Sequence, residues 1–571
     1  MAGRRLRAIA AGTLGWALVL AGASGSAAAP THTDAAELTR FTVVAEAGVS
    51  ASAATTAIEA AGGAVVARNA AAGTYQVTTR RSDFARRAAA ATSLIGATGD
   101  RAIGAAPRLR DRVETEHLVP GAVRPGSATG YGPSGGARAP VVGMDPLDER
   151  LWGLRMVRAD LARQRERGER GVTVGILDTG VDATHPDLTP NFDTTLSRNF
   201  APDIPSIDGA CEWAGCVDPV HVDDNGHGTH VAGTVGAAAD GFGLSGVAPN
   251  VTLVALKGGQ DSGYFFLDPV VNAITYAADA GLDVVNMSFF VDPWLYNCGS
   301  NAADSAEARA EQRAIVTAMS RAMNYAHDRG VTMVVAMGNE HSDLGRPGVD
   351  ESSPDTGPVA PYRRVVDNAD CLMLPQEGPH AIGVSALGPS SRKADFSNYG
   401  LERVTVAAPG GHFRDGFGTP TYRTAGNMIL SSYPRGALQT EGIVDADGNI
   451  VAGFEETAFK RCAADGRCGY YTHLQGTSMA APHAAGVAAL IVSRFGTRDA
   501  DLGGLTMPPG DVERQLTRSA AARACPAPPL VSYKNEDRGP EFDALCEGTA
   551  RFNGFYGSGI VDAFAAVGAR R

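Results

Sequence analysis

Between residues 172 and 387 the chain alternates short, almost unbroken apolar runs with longer stretches whose apolar residues recur at helical spacing. The runs VTVGILDTG (172–180), VTLVALKG (251–258), LDVVNMSFF (282–290), VTMVVAMGN (331–339) and HAIGVSAL (380–387) place hydrophobic side chains at successive positions. A strand does so when both its faces are covered, as in a parallel sheet between layers of helices. Helices are expected between the runs. One starts near His227, one covers PVVNAITYAADAG (269–281), and a longer one covers EARAEQRAIVTAMSRAMNYAHDRG (307–330). This repetition predicts an α/β layered domain with a mainly parallel central sheet. Chemistry in such sheets gathers at the carboxyl ends of the strands, which draws attention to Asp178, Ser288 and Asn339.

The preceding stretch is patterned differently. RFTVVAEAG (40–48) alternates like a half-buried strand, and SAATTAIEAAG (52–62) puts Ala54, Ile58 and Ala61 on one helical face. GAVVARN and GTYQVTTR read as two strands joined by a glycine-containing turn, and SDFARRAAAATSL as a second helix capped by Ser82. These elements predict a small α+β domain, placed at 35–118. The proline and glycine of VPGAVRPGSATGYGPSGGARAP mark an exposed linker, 119–144, accessible to cleavage, before a main domain at 145–571. The first residues combine three arginines, an apolar stretch from Ala8 to about Gly22 and small residues, the pattern of a secretory signal. A signal at 1–28, cut near Ala28, predicts a secreted, soluble protein with no membrane association after cleavage.

Composition narrows the classes. A length of 571 residues exceeds one ordinary core. A net charge of -12 argues against nucleic acid as a partner, because such binding depends on neutralising phosphates. Eight cysteines in an exported chain are expected to form disulfides. Cys211 with Cys216 and Cys462 with Cys468 are local candidates, and the other four close longer loops. A thiolate zinc cage is the rival, but these spacings are longer than the usual CxxC knuckle.

Ser478 precedes an alanine-rich helical run in GTSMAAPHAAGVAAL (476–490). A serine there can simply cap the helix, and Asp178 or His227 alone reads equally well as structural. Together they supply a hydroxyl nucleophile, an imidazole base and a carboxylate to hold the imidazole tautomer, the three groups that acyl transfer needs. Asn339, in AMGNE at another strand end, offers a side-chain amide for an oxyanion.

The blocks ILDTGVDATHPDL, DNGHGTHVAGTV, VVNMSF, VVAMGNE and GTSMAAPHAAGVAAL, in that order, resemble the signature segments of subtilisin-like serine proteases, the subtilases (peptidase family S8). The resemblance spans roughly residues 145 to 567. The order Asp, His, Ser is that of subtilisin and differs from chymotrypsin and the α/β-hydrolases. It implies a three-layer subtilisin-like domain and a serine endopeptidase acting on proteins or peptides through an acyl-enzyme. Asp178, His227 and Ser478 would form its triad, and Asn339 with the Ser478 amide its oxyanion hole. His230 and His483 would be structural. The 35–118 domain resembles the family's inhibitory propeptide, implying a zymogen whose own propeptide is an intramolecular inhibitor and folding aid. The mature chain is expected to start between about Ala137 and Asp145 and to be a monomer. Substrate peptides would lie extended against strand edges, contacting Ser288, Phe289 and Gly338. Phe290 stands where subtilisins usually have glycine, so no preferred side chain is assigned.

The family's chemistry requires no cofactor, but the resemblance implies a structural calcium site at Asp187 and Asp240 with the carbonyls of Ala238, Phe242 and Leu244. Hard oxygen ligands suit calcium. His221, Asp223, Asp224, His227 and His230 admit a zinc reading, which the motif and the lack of HExxH oppose. The alternatives are a catalytically silent binding protein on the same fold and a metal-dependent hydrolase. Segments 198–221, 291–310, 340–379 and 411–471 exceed the compact family core. Within them Cys371 is a candidate partner of Cys298, and Trp294, Tyr470 and Tyr471 either line the cleft or pack beneath loops.

Overall fold

The structure, a computed structural model, describes residues 38–99, 145–355, 360–499 and 503–568. The expected signal, residues 100–118 of the expected propeptide and the linker 119–144 lie outside these residues. The leading α+β unit consists of β1 (Thr39–Ala45), α1 (Ala51–Ala61), β2 (Ala64–Asn69), β3 (Thr74–Thr79), α2 (Phe84–Ala89) and β4 (Leu94–Gly99). Its antiparallel sheet has the order β2-β3-β1-β4. Ala54, Ile58 and Ala61 are the buried face of α1, as their spacing predicts. Two local expectations differ. The cap of α2 is Asp83, one residue beyond Ser82, and β4 completes the sheet where no strand was expected.

In the main domain seven parallel strands form one sheet. They are β5 (Thr173–Asp178), β6 (Arg198–Asn199), β7 (Thr252–Lys257), β8 (Val284–Met287), β9 (Thr332–Ala336), β10 (Ala381–Leu387) and β11 (Val406–Pro409), in the order β11-β10-β9-β8-β5-β7-β6. Side chains alternate between two cores. Val174, Ile176, Val284 and Val334 pack with α3 (His227–Gly236) and α6 (Thr477–Phe495), while Leu177, Val285 and Val335 pack with α4 (Leu267–Asp279) and α5 (Ala306–His327). Burial on both faces is why these strands read as unbroken apolar runs. A three-stranded antiparallel sheet of β12 (Ile429–Tyr433), β13 (Ala458–Cys462) and β14 (Cys468–Leu474) lies beside α3 and leads directly into α6.

The chain enters the sheet at β5, adds β6 and β7 on one side and then crosses to β8 on the other. That reversal opens a crevice at the carboxyl ends of β5 and β8. The leading unit docks on α4 and α5. Val44 and Ala72 join the core beneath those helices, Asn69 donates to Asn272 and Thr275 at 2.9 and 2.7 Å, and Arg321 donates to the Ala45 and Ala72 carbonyls at 2.9 and 3.3 Å.

Four disulfides join Cys211–Cys216, Cys298–Cys371, Cys462–Cys468 and Cys525–Cys546, which removes the thiolate cage from consideration. No helix among the described residues is long and apolar enough to cross a membrane.

Candidate active site

Asp178 is the last residue of β5 and fully buried. Its carbonyl accepts from the Gly258 and Gly259 amides at 3.0 and 3.1 Å, which ties the strand end to the turn after β7. His227 opens α3, and its Nδ1–H donates to Asp178 Oδ1 at 2.7 Å, since a carboxylate can only accept. The same oxygen accepts from the Thr179 amide at 2.8 Å. The close approach of these two segments depends on Gly228: a Cβ there would lie 2.1 Å from the Gly180 carbonyl. Asp223 fixes the entry to α3, accepting from Thr179 Oγ1, the Gly226 amide and both the amide and hydroxyl of Thr229.

Ser478, at the second position of α6, is 5% exposed. Pro482 sits in the sixth position of that helix and has no N–H for the Ser478 carbonyl four residues back. The Ser288 hydroxyl replaces that donor at 3.1 Å, while Ser478 Oγ donates to the Ser288 carbonyl at 3.2 Å. Asn286 in turn donates to Ser288 Oγ at 2.9 Å. Asn339, three residues beyond β9, accepts at Oδ1 from both the amide and the hydroxyl of Thr477, at 2.9 and 3.0 Å. With Oδ1 engaged, Nδ2 is the end of the amide suited to donate. Thr477 Oγ1 also accepts from the Gly338 amide at 2.9 Å, so one threonine aligns the β9 loop with the start of α6.

His227, Ser288, Phe289, Gly338, Asn339 and Ser478 line one cleft of about 320 Å³. The structure thus brings Ser288 and Asn339 from two strand ends into one cleft with His227 and Ser478, while Asp178, at a third strand end, contacts His227 from behind that lining. Phe289 stacks on Phe265, ring centroids 4.1 Å apart, and Gln376 donates to its carbonyl at 2.7 Å. Half-buried Phe290 lines the cleft, as do Glu340, Asp292 and Asp355. Burial pushes Asp292 up to about 8, although the Phe265 amide donating to it at 2.7 Å favours the anion. Burial also raises Asp355. These carboxyls and Gln376 come from long connections, whose course no sequence periodicity reveals. Thr477 was visible only as a member of its motif, and Asp223 only as a member of the zinc reading.

Burial decides between the readings left open for the other candidates. Trp294, Tyr470 and Tyr471 do not line the cleft but are buried: Trp294 lies beneath Arg364, and Tyr470 donates to the Gly448 carbonyl. His230 faces the Ile429 carbonyl at 3.0 Å, and burial holds it down to about 3. His483 donates from Nδ1 to the Met479 carbonyl at 2.8 Å, and burial holds it at about 4. Both stay neutral, and His227 is engaged by Asp178, so the zinc reading finds no converging ligand set there.

At the expected calcium position Asp187 is buried and accepts from the Leu244 amide at 3.0 Å. Ala238 donates its amide to the Asp187 carbonyl at 2.8 Å. Asp240 is exposed and accepts from the Phe242 amide at 3.1 Å. Burial pushes Asp187 up to about 8 and Asp145 up to about 6, and each is raised further by neighbouring carboxylates that include Asp240. Asp145 Oδ2 is buried with no hydrogen-bond donor. An excess of carboxylates with an orphaned oxygen suits a hard cation, and Asp145 belongs to that acidic surrounding. The carboxylates of Asp145, Asp187 and Asp240 do not all converge within the reach of one ion, so backbone carbonyls would have to supply much of the shell.

Residues 169–559 match the model of the subtilase family. Subtilisin DY of Bacillus licheniformis is 29% identical over 349 residues, covering 61% of this chain and 86% of that protein. Fervidolysin of Fervidobacterium pennivorans is 30% identical over 362 residues, covering 62% of this chain but only 39% of its own length. The solved structure of fervidolysin, described as a keratinolytic enzyme related to subtilisin, aligns with a TM-score of 0.55 at 21% identity, over 94% of this chain and 61% of that one. The epidermin leader peptide processing serine protease of Staphylococcus aureus aligns with a TM-score of 0.56 at 20% identity, over 93% and 98%. At such identities the structural likeness speaks for the fold, while the family match covers more than half of the sequence. With a carboxylate, an imidazole, a serine and an asparagine gathered at the strand ends of that fold, the chain belongs to the subtilase family of serine-type endopeptidases.

Proposed function

We propose that the protein is a secreted serine endopeptidase, made as a zymogen, that hydrolyses peptide bonds in proteins through an acyl-enzyme on Ser478. The observation that carries this reading is the 2.7 Å contact from His227 to buried Asp178, in a cleft shared with Ser478 and Asn339. Ser478 Oγ turns from the Ser288 carbonyl toward the imidazole, gives up its proton to His227 and attacks the scissile carbonyl carbon. Asp178 holds the tautomer and stabilises the imidazolium. Asn339 Nδ2 and the Ser478 amide take the oxyanion at the positive end of α6. His227 then protonates the leaving amine, and water repeats the sequence to release the acid and restore the serine.

The unit from 38 to 99 acts in this reading as the inhibitory propeptide, supported by its docking through Asn69 and the two carbonyls held by Arg321. Cleavage in 119–144 separates it, and the segment at 1–28 directs export. Asp187 and Asp240, with the carbonyls of Ala238, Phe242 and Leu244 and with Asp145 nearby, hold a calcium ion that orders the loop and takes no part in the reaction.

The test treats the purified protein and its Ser478→Ala variant with a fluorophosphonate probe and an unstructured protein substrate. The parent is expected to be labelled and to degrade the substrate. The variant is expected to lose about a millionfold in turnover and to accumulate as unprocessed precursor. Persistent proteolysis in the variant overturns the mechanism, and binding without hydrolysis by the parent marks a silent binding protein.

A further inference from the structure

A second group of carboxylates stands apart from the cleft and shares no residue with the Asp187 site. One oxygen each from Asp203, Glu212, Asp218 and Asp261 converges within 4.8 Å. Three belong to the long segment between β6 and α3, and the fourth follows β7 by four residues. We propose that these four residues form an additional calcium site that clamps the Asp203–Asp218 loop to the turn after β7.

Acidic side chains alone do not make a cation site; the environment of Asp203 is the independent observation. It is 5% exposed, yet neither of its carboxylate oxygens has a hydrogen-bond donor. Its backbone amide is spent on the Cys216 carbonyl at 2.8 Å, which fixes the side chain within the cluster. A buried carboxylate without donors is unfavourable unless a cation or proton compensates it. Lys257 supplies one ammonium, paired with Asp218 at 3.1 Å and Asp261 at 2.5 Å. One ammonium against four carboxylates leaves an excess of negative charge around Asp203.

The donor set selects the cation. All four ligands are hard oxygens, with no histidine or thiol among them, and the nearby Cys211 and Cys216 are consumed in a disulfide that closes the loop carrying Glu212. Calcium takes about six to eight such oxygens in flexible arrangements, whereas magnesium demands a near-ideal octahedron and keeps several of its waters. A set of four protein carboxylates drawn from a long loop and a turn therefore suits calcium better. Carbonyls and water complete the coordination.

The cluster touches the machinery of the cleft without lining it. Lys257 Nζ donates to the Thr179 carbonyl at 2.9 Å, next to Asp178, and Asn225 donates to the Asp261 carbonyl at 2.8 Å, two residues before His227. A cation here holds together the connections that carry the carboxylate and the imidazole. Its role is positioning.

The test uses the full chain carrying Ser478→Ala, which cannot digest itself. Trp213 is 44% exposed and adjoins Glu212, so terbium bound at the cluster is expected to luminesce through it and to be displaced by calcium. The sensitised signal is expected to vanish in Trp213→Phe, and Asp203→Asn and Glu212→Gln are each expected to weaken calcium binding at least tenfold. Asp187→Asn should leave this signal in place, separating the two sites. Glu212 is exposed, so its variant keeps the test decisive if Asp203→Asn fails to fold. Unchanged calcium titration and unchanged calcium-dependent melting in Glu212→Gln overturn the site, as does saturation by magnesium at equal concentration.

Discussion

Ser288 and Ser478 hold each other through exchanged hydrogen bonds: each hydroxyl donates to the other's backbone carbonyl, at 3.1 and 3.2 Å. The bond to the Ser478 carbonyl replaces the N–H that Pro482 cannot supply. The β8 edge and the start of α6 are therefore locked across 190 residues of sequence.

Ser288→Ala is accordingly expected to leave the Ser478 carbonyl without a donor, a loss of about 1–3 kcal/mol. Peptide hydrolysis should show a fall in kcat of roughly ten- to a hundredfold with KM little changed, and melting a lower Tm. Wild-type kcat in the variant would show that the exchange does not position the nucleophile.

Asp178→Asn keeps the size of the side chain but removes its charge and turns one carboxylate oxygen into an NH2 donor, which can face His227 Nδ1 and favour the wrong tautomer. Turnover of an activated peptide ester should fall about 10⁴-fold while fluorophosphonate labelling slows in parallel. A drop in turnover without slower labelling would place Asp178 outside the activation of Ser478.

Asp292 makes stability depend on pH. Its carboxyl is raised from 3.8 to about 8 by burial, so between these values the folded state binds a proton that the unfolded chain does not. Its contribution is full below pH 3.8 and is lost as pH rises through about 8, at about 1.4 kcal/mol per pH unit at most. Asp292→Asn, compared in the Ser478→Ala background between pH 4 and 9, should gain stability relative to its parent up to about pH 8 and level off above it. A constant difference across that range would contradict the burial account.

The Cys298–Cys371 bridge spans 73 residues, and closing such a loop is worth about 4 kcal/mol of unfolded-chain entropy. Replacing both cysteines by alanine should lower Tm by several degrees. KM should rise as well, because Gln376, held just beyond Cys371, supports the Phe289 carbonyl at 2.7 Å.

Arg321 donates to two carbonyls of the leading unit. Arg321→Ala, again with Ser478→Ala, removes about 1 kcal/mol per bond, so limited proteolysis should cut residues 38–99 severalfold faster than in the parent. Equal cleavage rates would remove Arg321 from the docking.

Much of this was legible in the sequence because it is local and periodic. Strands buried on both faces announce themselves as unbroken apolar runs, so five of the seven parallel strands and the helices between them could be read directly. The two that escaped show why. β6 is two residues long, and β11 is four residues ending at Pro409, too short for a pattern. Asp178, His227, Asn339 and Ser478 were recognisable as chemical types at strand and helix ends, and all four fall inside the family match to 169–559. What only the tertiary structure decided are relations between distant segments. These include the exchange between Ser288 and Ser478, the use of Thr477 to align Asn339, the carboxyls that long loops bring to the cleft, and the gathering of Asp203, Glu212 and Asp218 around Asp261. Burial and electrostatic compensation depend on what surrounds a side chain in space. Loops carry no periodicity from which that neighbourhood can be read.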